Sequence, residues 1–215
     1  MIEYQYRLYG ISSNEHNLIY IPLLKNAHSW GEKFFSHNFG CNEDVYIGPN
    51  NIELYKDKRF AVILRDPIDR WISAITQYLV DLNTNVEVLD DPFIYKLIKD
   101  GVMFDDHARP QRYDVIGLDD RRTAFFMCDD KLEFNLNIFS LALFNKRVKP
   151  VGEINRHYNN SAKKLLYPKI KNIVEQDKVL MDKLKTFYDM DYVLIEQLGH
   201  RFVNKSANLR NIYYD

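Results

Sequence analysis

The chain has 215 residues, 46% hydrophobic and 14% aromatic, enough apolar material for a sizeable core and a length that suits a single domain over 1–215 better than two. Lysine and arginine number 29 against 30 acidic residues, for a net charge of −1, which gives no support to broad electrostatic binding of nucleic acid or membrane and confines any anion site to a local cluster. The two cysteines, Cys41 and Cys128, make no disulfide framework and suit a reducing compartment; "MIEYQYRLYG" has no apolar signal core and no apolar run approaches a membrane span, so the expectation is a soluble, cytoplasmic protein.

In chain order, "LIYIPLL" (18–24) is a short run of strand formers, and "SWGEKFFSHNFG" (29–40) places Trp30, Phe34 and Phe35 at helical spacing before a terminating Gly40. "DVYIG" (44–48) reads as another short strand. "RFAVILRDP" (59–67) repeats strand, turn and helix: the continuous run Phe60 to Leu64 suits a strand buried on both faces, and Asp66 caps a helix with Pro67 at its first position. "DLNTNVEVLDD" (81–91) is loop-like, and "PFIYKLIKD" (92–100) is helical. Pro110 argues against regular structure in "DDHARPQ" (105–111). "YDVIG" (113–117) belongs to a stretch of strand and loop, and "TAFFMC" (123–128) reads as a buried strand. "KLEFNLNIFSLALFN" and most of the chain from there to Leu198 read as helical. Strands followed by helices predict an α/β fold: a mainly parallel central sheet flanked by helices, with ligands gathering at the carboxyl ends of its strands.

Two turns lie on that edge. At the first, Lys25 leaves the strand and the backbone amides of 26–30 open a helix, so Asn26, Ala27, His28 and Ser29 surround a receptor for a phosphate-like group. Trp30 either lines a nucleotide or fills the core. At the second, Arg65 stands at the strand exit and Ser73 lies about two helical turns beyond Asp66, a fork and a hydroxyl suited to a second phosphate. Each turn alone also has a plain structural reading, a solvated lysine with a capping serine in one case and an Arg65–Asp69 pair in the other. The run lacks G-x-x-x-x-G-K-[ST], which disfavours a generic ATPase.

Together "PLLKNAHSW" and "RDPIDRWISA" resemble the two cofactor motifs of sulfotransferases that use 3′-phosphoadenosine-5′-phosphosulfate (PAPS). The second follows the family pattern R-D-P-x-x-R-x-x-S through Arg65, Asp66, Pro67, Arg70 and Ser73. "DDHARPQ" looks like the H-x-R-P-Q segment of the Golgi-type carbohydrate branch, and "EINRHYNNSAKK" and "YDMDYVLIEQLG" are similar to its late segments. His28 departs from the glycine common elsewhere. The resemblance implies a P-loop-like sulfotransferase fold without a metal, with PAPS as sulfuryl donor and 3′-phosphoadenosine-5′-phosphate (PAP) as product. It further implies that Lys25 and Ser29 bind the 5′-phosphosulfate end and that Arg65 and Ser73 hold the 3′-phosphate. The partner is a hydroxyl acceptor, with a saccharide favoured by H-x-R-P-Q, and neither nucleic acid nor a membrane.

Sulfuryl transfer asks the protein to align donor and acceptor, stabilise charge and remove the acceptor's proton. Lys25 takes the leaving oxygens, and His107, flanked by Asp105 and Asp106, is the preferred base. His28, Glu43 and Asp44 are alternative bases, while His37 suits a surface or capping role. Arg109, Gln111 and Arg112 are candidate acceptor contacts. The rival functional reading is a non-catalytic nucleotide-binding or scaffold protein that kept the pocket.

Overall fold

A five-stranded sheet forms the centre of the computed structural model, which describes residues 8–48, 51–82, 92–119, 121–152 and 161–198. The strands are β1 (Leu8–Ser13), β2 (Leu18–Ile21), β3 (Cys41–Ile47), β4 (Arg59–Leu64) and β5 (Thr123–Met127), in spatial order β3-β1-β2-β4-β5. β2, β4 and β5 pair in parallel, whereas β1 is antiparallel to both β2 and β3. The expected mainly parallel sheet is therefore corrected to a mixed one. The cause is a hairpin: Ser13 to Leu18 reverses the chain, with Asn17 at φ 48, before β2 begins.

Around the sheet run α1 (His28–Phe39), α2 (Pro67–Asp81), α3 (Pro92–Asp100), the single turn α4 (Arg112–Val115), α5 (Leu132–Phe144), α6 (Ser161–Gln176), α7 (Lys178–Phe187) and α8 (Asp189–Leu198). Two of these obey their sequence signals closely. Gly40 ends α1 at φ 63, its amide donating back to Phe35 and Ser36 carbonyls. Asp66 starts α2 by accepting from the amides of Ile68 and Asp69, with Pro67 first in the helix. Tyr113–Val115 is helical rather than strand or loop, because Arg112 opens a turn whose first amide is held by the Asp191 carboxylate. Parts of 81–91 and of "EINRHYNNSAKK", namely 83–91 and 153–160, lie outside the described residues.

Alternation along the strands builds two cores. Tyr20, Ala61, Ile63, Ala124 and Phe126 face α1 and α5, meeting Phe34, Phe35, Phe39 and Phe139. Ile19, Ile21, Phe60, Val62, Leu64 and Phe125 face the opposite way, against Val115, Leu118 and Leu198. β4 is thus covered on both faces, as its unbroken apolar run requires. A third cluster joins Trp71, Ile72, Ile75 and Leu79 of α2 to Leu166, Ile170 and Val174 of α6 and to Leu180 and Leu184 of α7. Gly31 lets α1 lie close to the sheet, since a Cβ there would fall 2.1 Å from the Tyr20 hydroxyl. Cys41 and Cys128 carry free thiols. Among the described residues no helix is long and apolar enough to cross a membrane.

The connections diverge about one point. From β2 the chain passes through α1 to β3 on one side of the sheet, while β4 lies against the other side of β2 and leads on to β5. The carboxyl ends of β2 and β4 therefore flank the place where the strand order reverses, the position at which α/β sheets form ligand crevices.

Candidate functional site

β2 ends at Ile21, four residues before Lys25, and a loop closed by Asn26 N–H to Leu23 O at 3.2 Å carries the lysine past the sheet. Lys25 and Ala27 both adopt left-handed backbone, φ 66 and φ 57, at a cost of about 1–2 kcal/mol each for a residue with a Cβ. Something must hold that conformation, and Asn26 between them does. It is fully buried and donates Nδ2 to Ile63 O at 2.9 Å and to Gln111 Oε1 at 2.5 Å. Ala27 precedes α1 without a side-chain cap, so the first-turn amides of His28, Ser29 and Trp30 are left for another acceptor. Ser29 exposes its hydroxyl beside them. Left-handed residues and an uncapped helix start together present backbone N–H groups to an anion.

Arg65, the first residue beyond β4, reaches this turn and donates Nη1 to Lys25 O at 3.2 Å. Its backbone is clasped from the other side by Gln111, whose Oε1 accepts from Arg65 N at 3.0 Å and whose Nε2 donates to Arg65 O at 2.8 Å. Arg70, fully buried one turn into α2, donates Nε to Leu24 O at 3.0 Å and Nη1 to Arg109 O at 2.5 Å. Two buried polar side chains thus tie three segments far apart in sequence: the Lys25 turn, the Arg65 exit and 105–112. Arg70 Nη2 is buried and meets no hydrogen-bond partner among the described residues.

The third segment is anchored from behind by α8 and the residue before it. Asp191, fully buried, accepts from Gln111 N at 2.9 Å and Arg112 N at 2.8 Å, and Tyr188 donates its hydroxyl to Ala108 O at 2.5 Å. Burial raises the Asp191 carboxyl above the usual carboxylate range, with the two amides opposing that rise. Within the segment Asp105 accepts from His107 N at 2.8 Å and pairs with His107 Nδ1 at 3.0 Å. A carboxylate only accepts, so Nδ1 carries the proton and Nε2 is left as the basic nitrogen. His28 stands in a looser copy of this arrangement, Nδ1 3.5 Å from Glu32.

Lys25 carries the clearest electrostatic signature. Burial, then the Lys163 ammonium, brings its amine down to about 8, with Arg65 adding to the fall and Asp81 and Asp105 opposing it. Lys163 reaches this neighbourhood from α6, where its ammonium donates to Gln77 of α2. A half-buried cation crowded by other cations gains from an anion, which would reverse the shift.

Lys25, Asn26, Ala27, His28, Ser29 and Arg65 therefore gather at one edge, and Asp105, the partner of His107, acts on the Lys25 charge from nearby. Ser73 is on the buried side of α2, only 2% exposed, and Trp30 packs on Phe34 with Nε1 bonded to Gly152 O at 3.0 Å, so core filling accounts for its ring. Glu43 and Asp44 lie within β3 at the sheet's far edge, Glu43 level with Ser12 and Asp44 level with Ile11, rather than in a loop beside Lys25. Gln111 is a buried clasp and Arg109 pairs with Asp114. Sequence reasoning did not find Asn26's side-chain role, Arg70's ties or Asp191; the single available signal was that all three are polar residues inside otherwise recognisable segments. Among the described residues no three His, Cys, Asp or Glu side chains cluster as metal ligands. No protein-family model, curated protein or solved structure matches this chain.

Proposed function

We propose that the chain is a sulfotransferase of P-loop-like fold that moves a sulfuryl group from PAPS to a hydroxyl acceptor. The observation that carries the reading is the contact between Arg65 Nη1 and Lys25 O: two separate strand exits, each bearing one half of the resemblance, meet at the point where the strand order reverses. A bisphosphorylated nucleotide needs two anion grips at a fixed separation, and Gln111 and Asn26 fix this one.

The residues fit the donor at its anionic ends. The amides of 28–30, the Ser29 hydroxyl and the Lys25 ammonium would hold the 5′-phosphosulfate end, and Arg65 is the cation placed for the 3′-phosphate. Arg65, rather than the buried Ser73, is the group presented at the edge. When bound, the donor supplies an electrophilic sulfur and its own leaving group. His107 Nε2 takes the proton from the acceptor hydroxyl, while Asp105 holds the ring by Nδ1 and compensates the charge it gains. Lys25 stabilises the negative charge on the departing oxygen. The shorter carboxylate contact, 3.0 Å against 3.5 Å, favours His107 over His28 as the base.

The test is thermal unfolding with PAP or AMP. A ligand selective for the folded state raises apparent stability; PAP should do so and AMP should do so far less, with Arg65→Ala erasing the difference. Equal stabilisation by AMP refutes the 3′-phosphate assignment. Stabilisation by PAP with no sulfuryl transfer to any hydroxyl leaves a binding protein instead.

A further inference from the structure

α5 is apolar on two opposite faces. Leu132, Leu136 and Phe139 enter the core against α1 and the sheet. Straight across the helix, at i, i+4 and i+7, stand Phe134, Ile138 and Leu141. Phe134 is 66% exposed and Leu141 37%, with Ile138 half-buried between them. A surface helix turns polar residues outward, and one that is apolar all round is covered on both sides. Charge is also sorted along α5. Asp129, Asp130 and Glu133 stand at its start with one lysine, Lys131, whereas Lys146, Arg147 and Lys149 follow its end with no acid among 145–152. Among the described residues Asp130, Glu133, Arg147 and Lys149 enter no ion pair. The basic end is held in place by α1: Asn38 donates Nδ2 to Lys149 O at 3.0 Å and accepts at Oδ1 from Lys149 N at 2.7 Å, and Lys146 Nζ donates to Asn38 O at 2.8 Å. That leaves Arg147 as an exposed, uncommitted cation beside the stripe.

We propose that the outer face of α5 is a self-association surface, on which a second copy of the chain packs its own α5 antiparallel about a two-fold axis at Ile138. That axis sets Ile138 against its symmetry mate, Phe134 opposite Leu141 and Ala142 of the second copy, and Asp130 opposite the Lys146–Arg147 pair. One apolar contact and two sets of opposite charges are then completed by the same surface on both copies. A parallel pairing brings acid to acid and base to base, and like charges reject it. The acidic end likewise repels nucleic acid and an anionic membrane, so the stripe suits its own copy better than either. Two turns of one helix cover less than the roughly 800 Å² per partner of a standard interface, so the dimer is weak and forms in the micromolar range.

Sedimentation velocity of the full chain at low salt, from about 5 to about 500 µM, reads this association by mass action. The wild type should pass from monomer to dimer across that range. Phe134→Glu should stay monomeric with the melting temperature of the dilute protein unchanged, since the ring is mostly solvent-facing, and Leu141→Gln, two turns along the same stripe, should weaken the dimer as well. Asp130→Lys and Arg147→Asp should each weaken it about tenfold, because each sets like charges opposite one another at both ends. Mixed in equal amounts, those two charge variants should dimerise as the wild type does, since the mixed pair alone restores opposite charges at both ends. A wild type that is monomeric throughout, stripe variants that dimerise like the wild type, or a mixture no tighter than either charge variant by itself, overturns the surface.

Discussion

Replacing Lys25 with Met should make the ligand-free protein more stable, although it removes the cation that the proposed function assigns to the donor. An amine that falls from 10.5 to about 8 in the fold signals a cost of at most about 3 kcal/mol for keeping the charge there. The side chain is only half-buried and solvent screens part of that cost, so about 1–2 kcal/mol is the working figure. Methionine keeps the stem's bulk, and both residues carry the same left-handed backbone at φ 66, so the conformational strain cancels in the comparison. For a chain of this size the gain corresponds to a rise of about 3–6 °C in melting temperature. The pH dependence has a definite sign. Below about pH 8 Lys25 is charged in both states and the full cost is present; between about 8 and 10.5 the unfolded chain holds a proton that the fold has released, so wild-type stability rises with pH through that window. Urea unfolding of both proteins at pH 7 and pH 10 reads this directly: the variant should lead by about 1–2 kcal/mol at pH 7 and by little at pH 10. A variant less stable than the wild type at pH 7, or a gap that does not narrow with pH, refutes the account of Lys25 as a cation waiting for an anion.

Gln111→Leu should destabilise the protein by several kcal/mol in urea titrations, because it removes the hydrogen bonds to Arg65 N and Arg65 O and one of the two that Asn26 Nδ2 makes, each at about 1–3 kcal/mol; an effect under about 1 kcal/mol would show that the clasp carries nothing. Gly31→Ala should cost about 2–3 kcal/mol or more, since the new Cβ would sit 2.1 Å from the Tyr20 hydroxyl and 2.6 Å from its ring carbon Cζ. By contrast Tyr20→Phe should be neutral or stabilising by about 1 kcal/mol in thermal melts, because that buried hydroxyl meets no partner among the described residues. Asp105→Asn should lower kcat while leaving the PAP affinity intact, as the His107 ring loses the carboxylate that orients it through Nδ1; an unchanged kcat would remove His107 as the base.

Local signals carried much of this molecule. The Asp66-Pro67 helix start, the Gly40 helix end and the doubly covered β4 each depend on residues within a few positions of one another, and each appears where the pattern placed it. β1 escaped notice because Gly10 and the polar Ser12 and Ser13 blur its alternation; once paired, it turns an expected parallel sheet into a mixed one. The resemblance offered Glu43 and Asp44 as bases, as carboxylates following the first helix, but β3 extends back to Cys41 and takes both into the sheet.

The site divides the same way. Sequence alone determined which residue types stand at the two strand exits, Lys25 with Ser29 and Arg65 with Asp66-Pro67, because strand, turn and helix start are written in short-range patterns. Only the tertiary structure decided that the exits touch, that Ser73 and Trp30 turn inward, and that Gln111, Arg70 and Asp191 hold the edge together. Those outcomes depend on buried hydrogen bonds between residues 39 to 85 positions apart. Such a bond is satisfied only when the whole sheet has set the spacing of its partners, and no local pattern encodes that spacing.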